Sequence, residues 1–187
     1  MSDALNDRRK ELEEGFFAQQ NAKLVEKLRA EKQNALTLEG LTQATGITSQ
    51  PVLDALLKLK LDATTVAALS LFPLVQVAWA DGTVDEKEKK AVLDAAGKSG
   101  LKADSPALAL LESWLKAAPP AALESTWAAY VQALMAKLSA GDKALLKNEL
   151  LGRARTVAEA SGGILGMGNK VSANEDKVLA RLAAIFG

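Results

Sequence analysis

The chain has no cysteine and no histidine. Together these absences remove Cys/His zinc sites, thiol redox chemistry, cysteine nucleophiles and Ser-His-Asp triads. Any metal site must be built from carboxylate, amide, carbonyl and water oxygens, which select hard cations such as Ca²⁺ or Mg²⁺. An excess of one charge is also missing, because 23 basic residues balance 23 acidic ones. No long-range field draws the chain toward nucleic acid or an anionic membrane. Aromatic residues are 4% of 187 positions, and Ala and Leu dominate in their place, which favours helix nearly throughout. Met1-Ser-Asp-Ala-Leu5 leads straight into charge, with no secretory pattern, so a soluble cytoplasmic protein is expected.

Long hydrophobic runs are scarce too. The longest, Val66 to Ala80, is broken only by Ser70, Pro73 and Gln76. It falls short of the roughly 20 residues that span a bilayer, so no transmembrane segment is expected. A helix apolar on all sides at this length is the buried centre of a bundle, with Pro73 starting its second half or kinking it.

The pattern predicts an all-α fold of eight or nine helices. Residues 3–34 read as one long charge-laced helix with Leu5, Leu12, Phe16, Leu24 and Leu28 near one stripe. That stripe needs a partner in cis or in a second copy, which opens the way to a homodimer through this helix. Two short helices follow at 37–45 and 50–60, separated by Gly46. After the core helix, further helices are expected from Asp85 to about Gly97, from Ser105-Pro106 to Leu115, from Pro120 to about Ser139, from Asp142 to Ala160, and over 172–186. Trp79, Trp114, Trp127 and Tyr130 sit among Ala and Leu at helical spacing and read as core fillers.

Chemistry concentrates in Val77-Ala-Trp-Ala-Asp-Gly-Thr-Val-Asp-Glu-Lys-Glu88, an apolar helix, an Asp81-Gly82 turn, then a helix opening on carboxylates. Val157-Ala-Glu-Ala-Ser-Gly162 and Val171-Ser-Ala-Asn-Glu175 echo it in two pieces. Asp85-x-x-Glu88 and Ser172-x-x-Glu175 both fit the capping box, in which the first side chain takes a free backbone N–H and the Glu reaches back. A carboxylate keeps lone pairs after one such bond, so capping and cation binding are compatible.

The Ala-Asp-Gly-x-Val-x-x-x-Glu string at 80–88, with Val-Ser-x-x-Glu at 171–175, resembles the TerB-like family. These helical domains are named for tellurite resistance, and similar ones occur at the head of some membrane-anchored J-domain co-chaperones. The resemblance covers about residues 63–187, leaving 1–62 as an N-terminal helical extension made of the long helix and the helix pair. It implies a pseudo-repeated helical fold and acidic residues that bind a divalent metal. By position these are Asp81, Glu88 and Glu175, with Asp85 beside them. Ser161 stands where the first corner has Asp81, and Gly163 to Lys170 is an insertion in the second. The function implied is a non-enzymatic interaction module in a stress-response setting, with a protein partner. A thiol-based tellurite chemistry is excluded by the absence of cysteine.

Three other motifs read as structural. Gly163-Ile-Leu-Gly-Met-Gly-Asn-Lys170 follows a helix, where a phosphate-binding loop needs a preceding strand. Ser113-Trp-Leu-Lys116 lacks the Lys-Thr-Gly partner of penicillin-recognising enzymes. Leu36 to Ile47 with Val52 to Leu57 resembles a helix-turn-helix, the basis of a DNA-binding alternative. Its reading helix carries Pro51 and Asp54, with Lys58 and Lys60 only toward its end, no β-wing follows, and the neutral overall charge of the chain speaks against phosphate contacts. A self-associating structural scaffold is the other alternative.

Overall fold

The computed structural model describes residues 20, 23–29, 37–161 and 171–187. Among them all regular structure is helical, in the order α1 (Leu38–Thr45), α2 (Gln50–Lys58), a 3₁₀ helix (Val66–Leu71), α3 (Phe72–Ala78), α4 (Glu86–Lys98), α5 (Pro106–Lys116), α6 (Ala122–Met135), α7 (Ala140–Ser161) and α8 (Ala173–Ile185). Of the long N-terminal helix expected over 3–34, Gln20 and residues 23–29 are helical, and the rest lies outside the described residues. Gly163 to Lys170 also lies outside them. Among the described residues no helix is long and apolar enough to cross a membrane.

α3 is the axis of the molecule. Its apolar residues are all buried, and it packs against α7, α8 and α5. The apolar run expected to form one helix is instead two elements, the 3₁₀ helix and α3. Pro73 explains the break, since it sits in the first turn of α3 and has no N–H to offer the carbonyl four residues back. That carbonyl, on Leu69, is bonded by the backbone N–H of Phe72 in 3₁₀ fashion and by the buried indole Nε1–H of Trp127 at 3.0 Å. Trp127 therefore fills the core and also satisfies the polar group that Pro73 leaves over. Phe72 meets Trp127 and Trp114 at centroid distances of 5.8 and 6.2 Å, and Trp127 meets Phe186 of the C-terminal end at 6.1 Å.

Leu41, Ile47, Val52, Leu53, Leu56 and Leu61 belong to the same hydrophobic cluster as α3 to α8, so the helix pair α1–α2 shares one core with the rest. α2, the would-be reading helix, buries Val52, Leu53 and Leu56 and packs on α6. Away from the core, α8 is fixed by polar ties: the Arg181 guanidinium bonds Glu124 of α6 at 2.7 Å and Gln76 of α3 at 3.1 Å.

The helix C-termini repeat one device with a change of residue. After α4, Gly100 turns left-handed at φ +82° and the Leu101 N–H returns to the Ala96 carbonyl. After α2 the same bond runs from Leu61 N–H to the Leu56 carbonyl, but the left-handed residue is Lys60 at φ +59°. Glycine adopts this conformation freely, whereas a side chain there costs roughly 1–2 kcal/mol.

Candidate functional site: the acidic corner

The first corner begins where α3 ends. The Gly82 N–H closes a turn on the Trp79 carbonyl at 3.0 Å, and its φ of +86° reverses the chain. Asp85, extended at φ −83° and ψ 169°, then caps α4. Its Oδ1 accepts the N–H groups of Lys87 at 2.8 Å and Glu88 at 2.7 Å, while Glu88 Oε2 accepts the Asp85 N–H at 2.8 Å. The capping box expected from the sequence is present in full.

The second corner repeats it at the start of α8. Ser172 Oγ accepts the Glu175 N–H at 3.2 Å, and Glu175 Oε2 accepts the Ser172 N–H at 2.6 Å. In each box the Glu is buried, with Glu88 7% and Glu175 2% exposed.

The two corners are neighbours in space. Asp81 Oδ1 accepts from Asn174 Nδ2 at 3.0 Å and more weakly from Ser172 Oγ at 3.5 Å, across more than ninety residues of chain. Asp81 therefore clasps the second corner with the side chain that opens the first. Asp81 and Asp85 remain exposed above the two buried Glu residues.

Burial in this corner pushes the pKa of Glu88 up to about 7. Burial is the main cause. The Asp85 N–H bond opposes it, and the like charges of Asp85, Glu175 and Asp81 push in the same direction as burial. Near neutral pH Glu88 is thus partly protonated, chiefly because it is buried, and its acidic neighbours add to the effect.

The four residues singled out from the sequence, Asp81, Asp85, Glu88 and Glu175, are brought to one place. Their oxygens suit a hard cation in kind. In each, one oxygen already serves a cap or the clasp. Among the described residues no three acidic side chains stand grouped so as to hold a metal ion. Asn174 is the participant that sequence reasoning did not single out. An amide in the exposed first turn of a helix carries no local signal, since its role depends on a partner 93 residues away.

No family model, curated protein or solved structure matches the chain.

Proposed function

We propose that the chain is a non-enzymatic helical interaction module of the TerB-like type, with the acidic corner as the joint between its two capped helices. The observation that carries this reading is the Asp81 clasp on Asn174 and Ser172 above the buried Glu88 and Glu175. A joint held at the surface by hydrogen bonds, over carboxylates that repel, yields to any influence that alters its charge, including the approach of a partner protein. Photo-crosslinking from exposed position 83, beside the corner, tests this in cells. A discrete protein adduct that is lost in Asp81→Asn supports a partner docking at the joint. Adducts absent from position 83 would remove it.

A second reading, in which the corner takes a divalent cation, is favoured by the crowding of like charge at Glu88. It requires carboxylate oxygens not engaged in the caps to turn toward one point. Helix N-termini disfavour cations, so affinity in the range of roughly 10⁻⁵ to 10⁻³ M is expected. Calorimetric titration of metal-stripped protein with Ca²⁺, Mg²⁺ and Mn²⁺, repeated on Asp81→Asn and Glu88→Gln, decides it. Saturable heat lost in both variants establishes the cation. Absence of heat, with variants altered only in stability, leaves the joint as a purely protein device.

A further inference from the structure

Three of the grooves on the described surface differ in charge. The one between α4 and α7, about 240 Å³, is lined by Asp94, Lys98 and Arg153. Two of these are already engaged: Asp94 pairs with Lys90, and Arg153 bonds Ser99 and Glu149. The one between α7 and α8 carries Arg155 and Asp176, one charge of each sign. The third, about 370 Å³, lies between the end of α2, α5 and the Pro119-Pro120 turn. Its walls are Leu59, Leu110, Trp114, Pro119 and Leu123, and its only charged lining residue is Lys60.

Lys60 is the residue held in the left-handed conformation that Gly100 occupies at the end of α4. The chain thus places a lysine where glycine would fit the backbone better. Its ammonium has no ion pair among the described residues, and no carboxylate lines the groove. Small-molecule sites are apolar clefts of roughly 300–1,000 Å³ with few polar groups that fix orientation. Strained backbone held against its own preference is found at ligand clamps. The combination of an apolar floor, one exposed cation without an ion pair on its lining and a strained backbone at that residue selects a ligand with an apolar body and one negative end.

We infer that this groove binds a small amphiphilic carboxylate, its chain or ring against Trp114, Leu110 and Leu123 and its carboxylate on Lys60. The Ser113 hydroxyl, which also lines the groove, donates to the Leu110 carbonyl and keeps its lone pairs, so the cation alone supplies the anchor.

Decanoate below its micellar concentration, titrated into the full chain by calorimetry, tests the inference. Saturable binding is expected, weakened about tenfold in Lys60→Gln, the effect of losing one charge-assisted bond. Decanol should bind wild type as weakly as decanoate binds Lys60→Gln, and decyltrimethylammonium more weakly than decanoate. Ala118→Trp, at an exposed position on the groove, should fill it and abolish binding. Lys60→Gly separates binding from folding: it should melt higher than wild type and still bind decanoate more weakly. Equal affinity for decanoate in wild type and Lys60→Gln, undiminished binding in Ala118→Trp, or no saturable binding to the folded wild-type chain would each overturn the assignment.

Discussion

The two corners of this molecule use one capping device and differ in the atom that begins it. At the first corner a carboxylate caps α4 and accepts two backbone N–H groups; at the second a hydroxyl caps α8 and accepts one. The carboxylate is the stronger cap, because it is charged and faces the positive end of the helix. It is also a like charge beside a buried Glu. The first corner therefore gains cap strength and raises the acidity problem at Glu88 with the same residue, while the neutral Ser172 adds no charge. A charged cap thus adds to the effect of burial on the Glu that completes its box, and a neutral cap does not.

The largest expected effect breaks the comparison through pH. The folded pKa of Glu88, about 7, lies above its ordinary 4.5, so the folded state holds an extra proton between those values. Stability is then greatest below about pH 4.5 as far as this group is concerned, and it is lost as pH rises through 7. Allowing for solvent screening, the loss is about 1–2 kcal/mol. Glu88→Gln, which keeps an acceptor for the Asp85 N–H, should flatten this slope and exceed wild type in denaturant midpoint at pH 8. An unchanged slope would mean that Glu88 titrates normally.

Removing the caps sharpens the contrast. Asp85→Ala is expected to cost about 1–2 kcal/mol and Ser172→Ala about 0.5–1 kcal/mol in chemical denaturation at neutral pH. The order should narrow in high salt, which screens the charged cap. Equal losses at low salt would contradict a charge-based difference.

A smaller effect measures the joint itself. In a double-mutant cycle of Asp81→Ala and Asn174→Ala, the coupling should be about 0.5–1 kcal/mol, as for an exposed hydrogen bond with a charged acceptor. The smallest effect exchanges the caps. Asp85→Ser should lower the Glu88 titration midpoint by a fraction of a pH unit, and Ser172→Asp should raise it, both read from carboxyl carbon shifts.

Sequence legibility followed the range of the forces involved. Caps are local, so Asp85, Ser105 with Pro106, and Ser172 marked the starts of α4, α5 and α8 directly. The packing of Trp127 was legible from its apolar surroundings. Its bond to the Leu69 carbonyl was not, because it joins positions 58 apart. The 3₁₀ helix over Val66–Leu71 was hidden in a run that is apolar on every face, where periodicity carries no signal. Lys60 gave no sign of a left-handed backbone, since the usual marker for that conformation is glycine. The acidic residues could be named from the sequence, but only the fold places Asn174 on Asp81.

The two corners meet through Asp81 and Asn174, and the absence of native cysteine makes that meeting directly measurable. Asp81→Cys combined with Asn174→Cys, treated with a short bifunctional thiol reagent, should give an intramolecular cross-link in the native protein that disappears on denaturation before treatment. A native double variant that reacts at both thiols without cross-linking would show that the corners do not meet.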